Sequence, residues 1–275
     1  MLLAGLSLWV ASGMLSAPAS RSVGELPADL RPGRSVEFAS ASGATVRGWL
    51  LPGERGRGAL ALMHGVRADR LSMSGRARFL RRAGYTVLLF DFQAHGETMG
   101  KHITFGHLES RDAQAAINFL RASAPGERVG VVGVSMGGAA LLLAEPPVEV
   151  DAIVLEMVYP TITEAVSNRL TMRLGRWATA LTPLLTSQFR LRLGVSAAQL
   201  RPINRVGVLS APKLFIAGAD DRHTTLAESQ TLFQAAREPK EFWAVEGARH
   251  EDLHARARAE YERRVLQFFA EHLRR

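Results

Sequence analysis

Three side chains of the kinds that carry out nucleophilic acyl chemistry stand far apart in this chain: Ser135, Asp221 and His250. Ser135 lies in Gly133-Val134-Ser135-Met136-Gly137-Gly138. The apolar run at 128–132 before it reads as a buried strand, and the Ala/Leu run at 139–144 after it reads as a helix. A strand that turns at once into a helix strains its pivot residue, and side chains on either side would clash, so glycines flank the serine. Such a turn lifts the hydroxyl above a sheet and aims the next backbone N–H, that of Met136, at a developing oxyanion. A serine hydroxyl alone is a weak nucleophile. This reading therefore requires a histidine to take its proton and a carboxylate to orient that histidine.

In a chain with 25 glycines among 275 residues, Gly-x-Ser-x-Gly draws its weight from the flanking strand and helix. A small-residue turn packing a helix on a strand is the plainer alternative. A Walker phosphate loop is excluded, because Gly-Lys-Ser/Thr is missing and no lysine stands nearby.

The elements that must position these groups follow a regular rhythm. Alternating segments at 35–39 and 45–50, with Ser42-Gly43 between them, predict a hairpin. Residues 59–63 predict a short buried strand ending in His64-Gly65-Val66, and 71–83 a helix closed by Gly84. A strand at 85–90 ends at Asp91; a loop at 92–105 leads to a helix at 108–122, which Pro125-Gly126 breaks before the elbow strand. Residues 151–156 form the next buried strand, 212–217 another, 225–237 a helix and 241–245 the last strand, before a charged amphipathic helix. Strands alternating with helices at this spacing give a parallel sheet covered on both faces. The rhythm fails between 159 and 208, where Leu170, Leu174, Trp177 and Leu181 recur at helical spacing beside Arg169, Arg173 and Arg176. That stretch predicts a helical cap at about 160–208 with its apolar stripe facing the core; a membrane-lying or substrate-gating face is the sharper alternative.

The chain is long enough for one domain with an insertion, and its 47% hydrophobic and 22% charged residues are ordinary for a globular protein. Net charge is +8, almost all from arginine, since Lys101, Lys213 and Lys240 are its lysines. The arginines are scattered without a basic tail or interleaved stacking aromatics, which predicts a solvated surface and no nucleic-acid partner. With no cysteine, disulfides, thiolate nucleophiles and thiolate metal sites are excluded. Residues 1–18 carry no charged side chain, enough for a short membrane span or a signal segment. We expect residues 1–19 to be such a hydrophobic segment, with Ala17-Pro18-Ala19 as a small-residue cleavage site, and the main domain to run from 35 to 275. The protein is thus expected to be membrane-associated or exported.

In parallel sheets chemistry gathers at the carboxyl ends of the strands, and Ser135, Asp221 and His250 all fall there, in the order expected of an elbow serine. His250 would act as general base and then acid, and Asp221 would hold the imidazole tautomer. Asp220 is the neighbouring candidate for that carboxylate; Asp221 is preferred, leaving Asp220 to cap the turn. The N–H of Val66 would be the second oxyanion donor beside Met136, with Met63 and His64 shaping that loop.

In combination these motifs resemble the α/β-hydrolase superfamily, in its serine-aminopeptidase-like or esterase-like branch. His64-Gly65 is similar to its oxyanion strand end, and Asp91 through His95-Gly96-Glu97-Thr98 resembles its Asp-x-x-Gly-His-Gly-x-Ser segment. The elbow, Gly218 to Asp221 and Gly247-Ala248-Arg249-His250 resemble its nucleophile, acid and histidine loops. Two departures stand out: Gln93-Ala94 where Arg-Gly is frequent, and His223-Thr224 where Val-Pro is common. The resemblance implies an α/β fold with a mostly parallel sheet, a serine hydrolase acting on a small acyl substrate, and no cofactor or metal.

Two readings compete. His250-Glu251-Asp252-Leu253-His254 spells the zinc-protease pattern His-Glu-x-x-His, but Gly247-Ala248 just upstream places His250 in a loop, and the downstream Gly-x-x-His of one zinc class is absent, with Ala257 where its glycine would stand. A hydrolase-like binding scaffold is disfavoured by the intact Ser, Asp and His set. Between esters and amides, Glu164 is the one acidic residue between Glu156 and Asp220. An aminopeptidase needs carboxylates near the cap for the substrate amine, which tilts the expectation to ester hydrolysis, with a peptidase or amidase as the alternative.

Overall fold

The computed structural model describes residues 13–274. Its centre is an eight-stranded sheet: β1 (Arg34–Ala39), β2 (Thr45–Leu51), β3 (Ala59–Met63), β4 (Thr86–Phe90), β5 (Val129–Val134), β6 (Ala152–Glu156), β7 (Lys213–Gly218) and β8 (Lys240–Val245). The spatial order is β8-β7-β6-β5-β3-β4-β2-β1. Strands β3 to β8 pair in parallel, while the β1–β2 hairpin and the β2–β4 contact are antiparallel. This is the α/β-hydrolase architecture. The order reverses between β3 and β5, and that reversal opens the crevice in which the elbow sits.

Alternation along the strands divides the core into two layers. On β3, Ala59, Ala61 and Met63 face one core, while Leu60 and Leu62 face the other. The first layer is covered by α2 (Glu109–Ser123) and α3 (Met136–Leu142), which contribute Ala113, Ile117, Leu120 and Leu141. The second is covered by α1 (Ser74–Arg82) and α9 (Arg258–Leu273), which contribute Phe79, Leu80, Tyr261, Val265 and Phe269. The predicted strands and flanking helices lie within three residues of these bounds. Gly84 closes α1 at φ +93°, where only glycine is unstrained.

Residues 159–208 are helical, as α4 (Ile162–Leu174), α5 (Thr182–Thr186), α6 (Phe189–Leu193) and short 3₁₀ turns. The expected core-facing stripe is not formed. Leu174 is 50% and Trp177 67% exposed, and Met172, Leu184 and Leu191 are also exposed. The inward face of α4 is set instead by Ile162 and Ala165, both buried, with Arg169 continuing it at helical spacing. Leu170 and Leu174 are out of phase with that face, and Gly175 ends the helix at φ 88° before Trp177 can join it. Two smaller differences appear. The loop after β4 carries His95–Gly96 paired in parallel with Ala19–Ser20, and the closing helix is interrupted at Ala257 between α8 (Leu253–Arg256) and α9. α7 (Leu226–Ala235) begins with a capping box, Thr225 and Glu228 bonding reciprocally.

Residues 1–12 of the expected hydrophobic segment lie outside the described residues. Among those described, no helix is long and apolar enough to cross a membrane. Residues 13–20 lie against the domain: the Arg67 guanidinium donates to the carbonyls of Met14 and Ala17, and the Ala19 N–H to Ala94.

Beneath the sheet's carboxyl end, Glu156 at the tip of β6 accepts two bonds from the Arg76 guanidinium (2.9 and 2.6 Å) and one from Tyr261. Arg76 also reaches Asp252 at 2.8 Å, so α1, β6 and the start of α8 are tied through one buried cation. Removing one partner from such a pair leaves an uncompensated buried charge. Glu156→Gln is therefore expected to lower unfolding free energy by about 3–5 kcal/mol, read from urea unfolding. Replacing Arg76 and Glu156 together by methionine should recover a large part of that loss.

Candidate active site

The elbow is as sharp as its sequence requires. Ser135 sits at φ 49° and ψ −114°, a conformation that costs a non-glycine residue about 1–3 kcal/mol. A Cβ on Gly133 would lie 2.6 Å from Gly138 Cα, and one on Gly137 would lie 2.4 Å from the Met63 carbonyl oxygen. The second contact brings the end of β3 against the start of α3, so Gly65 passes beside Ser135: a Cβ there would meet that of Ser135 at 3.7 Å. Met136 is the first residue of α3, and its N–H has no intrahelical acceptor. The Val66 N–H also has no acceptor among the described residues. Met136 follows Ser135 directly, and Val66 lines the same cavity as Ser135.

His64 shapes this loop. It is fully buried; its Nδ1 lies 2.8 Å from the Gly65 carbonyl and its Nε2 accepts the Phe92 N–H at 3.1 Å. Those two bonds assign the proton to Nδ1, and burial holds the ring's pKa well below the usual histidine value. It is a neutral strut.

The structure brings Asp221 and His250 together. His250 Nδ1 lies 2.7 Å from Asp221 Oδ2, while Asp221 Oδ1 accepts the N–H groups of His223 (2.7 Å) and Thr224 (3.0 Å). Asp221 is buried and Asp220 exposed, so the structure selects between the two carboxylates. Backbone bonds stitch the loops that hold them: Ala219 N–H donates to Val245 and Asp220 N–H to Ala248. A Cβ on Gly218 would lie 2.6 Å from the Ala248 carbonyl, so the acid loop and histidine loop touch backbone to backbone. With Nδ1–H engaged by Asp221, His250 presents Nε2 as an acceptor. Ser135 and His250 line one cavity of about 430 Å³, together with Val66, Met157, Arg169 and His223.

The sequence between residues 54 and 199 matches the family model of the serine aminopeptidases S33, over half the chain. The chain belongs to this α/β-hydrolase family. It is 25% identical to the uncharacterized protein YqkD of Bacillus subtilis over 235 residues, covering 83% of this chain and 76% of that one. It is 34% identical over 110 residues to the thiohydrolase aneE of Aspergillus aculeatus, covering 38% and 34% of the two chains. Its fold is similar to that of the Pyrococcus furiosus esterase Pf2001, with a TM-score of 0.77, 23% identity and coverage of 94% and 98%. An esterase of Exiguobacterium antarcticum aligns with a TM-score of 0.63 at 13% identity, covering 86% and 100%. At these identities the structural likeness concerns the fold.

Within this hydrolase, His-Glu-x-x-His does not form a ligand pair. His250 precedes α8 in a turn, whereas His254 is buried against Phe79 with its Nε2 2.9 Å from Glu262. The group of metal-ligating atoms that does converge among the described residues is Asp221, His223 and His250. Both carboxylate oxygens of Asp221 there already accept hydrogen bonds.

Two cavity residues, Arg169 and His223, belong to no catalytic motif of the sequence. Arg169 had a legible signal: it follows Ile162 and Ala165 on the inward face of α4. His223 had only its departure from the family's Val-Pro. Its ring stands edge-on to His250, centroids 5.0 Å apart, and burial, then the charge of His250 and of Arg169 and Arg173, pushes its pKa down to about 4 against the favourable field of Asp221. In that window the unfolded chain binds a proton that the native state refuses, so His223 costs the protein stability progressively as pH falls from about 6.5 to about 4. His223→Gln should therefore gain stability relative to the parent as pH falls across that range and differ little above pH 7, measured by urea unfolding at stepped pH.

Proposed function

We propose that this α/β-hydrolase is a carboxylic-ester hydrolase that works through an acyl-enzyme on Ser135. The observation that carries the reading is the 2.7 Å bond between His250 Nδ1 and Asp221 Oδ2 at a cavity whose wall includes the strained Ser135.

In the first half-reaction the Ser135 Oγ–H proton passes to His250 Nε2 as Oγ adds to the substrate carbonyl carbon. Negative charge collects on the carbonyl oxygen, where the N–H groups of Met136 and Val66 supply donors. Asp221 stabilises the imidazolium through Nδ1–H without taking its proton. Collapse breaks the bond to the alkoxy oxygen, which leaves as an alcohol with the proton from Nε2. Water then repeats the sequence: His250 accepts its proton, hydroxide adds to the acyl carbon, and Ser135 Oγ departs with that proton, freeing the acid. No cofactor takes part in either half.

Esters are favoured over peptides by the acidic residues available. Glu164, the sole carboxylate of the cap, accepts the Thr161 hydroxyl at 2.7 Å and does not line the cavity. Glu251 and Asp252 do line it, but each already meets an arginine or a backbone N–H. Each of the two thus shares an oxygen with an arginine and a backbone N–H, which weakens its pull on a substrate amine.

Ser135→Ala should remain folded and lose at least about 10³-fold in turnover on short-chain 4-nitrophenyl esters. Asp221→Asn, which accepts the same space with the wrong hydrogen-bond polarity, should lose about 10⁴-fold. The matched 4-nitroanilides should be turned over far more slowly than the esters by the parent protein. Near-normal turnover by Ser135→Ala would overturn the assignment of the nucleophile, and faster anilide than ester cleavage would favour a peptidase or amidase.

A further inference from the structure

Four charged side chains line the cavity, Arg76, Arg169, Glu251 and Asp252, with Asp221 behind His250, and all but Arg169 are compensated. Arg76 meets Glu156 and Asp252; Asp252 also accepts the His254 N–H at 3.1 Å; Glu251 accepts the Arg249 N–H at 3.0 Å and faces Arg256; Asp221 is shared by His250 and two backbone donors. Arg169 is different. Its Nη1 donates to the Ala165 carbonyl at 2.7 Å, one turn back on α4, and no carboxylate is within ion-pair distance of it among the described residues. Burial pulls its pKa below the usual arginine value, with Arg173 adding to the effect and Tyr159, Asp221 and Glu228 opposing it from a distance.

A half-buried guanidinium with one neutral acceptor is under-compensated. Its remaining N–H groups form a planar fork suited to two oxygens of one anion. The position of α4 is fixed on the other side by Asn168, whose amide nitrogen donates to Glu228 at 2.8 Å and to the His223 carbonyl at 3.2 Å. Arg169 is thereby carried by a helix anchored to the loop that holds Asp221, rather than by a free surface turn.

Resting on the ester-hydrolase reading, we propose that Arg169 is a specificity-determining residue that binds an oxyanion on the substrate, so that preferred esters carry a carboxylate or a phosphate besides the scissile bond. The cavity, of about 430 Å³, has room for a small acyl ester with such a group. The carboxylate would accept two N–H groups from the Arg169 fork while the ester carbonyl sits over Ser135. A neutral ester of equal length would leave that cation without a partner, which biases selection between the two.

The test compares 4-nitrophenyl butyrate with 4-nitrophenyl hydrogen succinate, which share a four-carbon acyl chain and differ by a terminal carboxylate. The parent protein should favour the succinate ester in kcat/KM, and Arg169→Gln should lower the succinate-to-butyrate ratio by about tenfold or more, in keeping with one charge-assisted pair. Arg169→Lys should restore part of the ratio. A purely structural role would depress both substrates together and leave the ratio unmoved. Free succinate and inorganic phosphate, tested separately against butyrate-ester hydrolysis by the parent, tell which anion is preferred and need no variant. Neutral succinamide should not inhibit. A ratio unchanged in Arg169→Gln, or no inhibition by either anion, overturns this proposal while leaving Ser135 chemistry intact. Loss of both activities in the parent, with Ser135 inert to a serine probe, would overturn the ester-hydrolase reading as well.

Discussion

The site depends on one backbone constraint: Ser135 held at φ 49° where β5 becomes α3. Nothing about serine favours that conformation, and the surrounding contacts must supply the opposing stabilisation. They come from close backbone packing that only glycine permits. Gly133 touches Gly138 across the turn, and Gly137 meets the carbonyls of Met63 and His64 at the end of β3. The Ser135 N–H is spent on the Glu156 carbonyl at 2.8 Å, which fastens the turn to the neighbouring strand. One close approach therefore fixes the Ser135 turn and the Gly65-Val66 loop against each other.

The same tip of β6 links the elbow to the histidine. The Glu156 carbonyl holds Ser135, its carboxylate holds Arg76, and Arg76 holds Asp252, two residues after His250. A buried arginine–carboxylate pair is weak evidence for net stability, since desolvation offsets much of the attraction. Its worth here is geometric, because it joins three elements that approach the site from different parts of the chain. The backbone contacts between the Gly218 and Ala248 loops serve the same end from β7 and β8.

Much of this was legible in the sequence because the strands are buried on both faces and read as short β-branched runs with glycine or proline punctuation. The elbow at Ser135, the strand end at His64-Gly65 and the pairing of the Asp221 loop with His250 follow from residue type and strand-end position alone. Choosing Asp221 over Asp220 required the structure, because adjacent carboxylates differ only in which side of the turn each faces. The cap was harder. Its helices are short, its apolar residues outnumber the core positions open to them, and Leu174 and Trp177 share helical spacing with a stripe that the core does not receive. Arg169 reads as a flank for the same reason: the inward phase of α4 is set by Ile162 and Ala165, neither of which belongs to the Leu170, Leu174, Trp177 and Leu181 stripe.

The most direct test of the central claim is fluorophosphonate labelling of the folded protein, with the modified residue located by mass spectrometry. A single stoichiometric adduct is expected on Ser135, abolished in Ser135→Ala and greatly slowed in His250→Ala if His250 removes the hydroxyl proton. A folded protein that stays unlabelled, or one labelled at another serine, would contradict it.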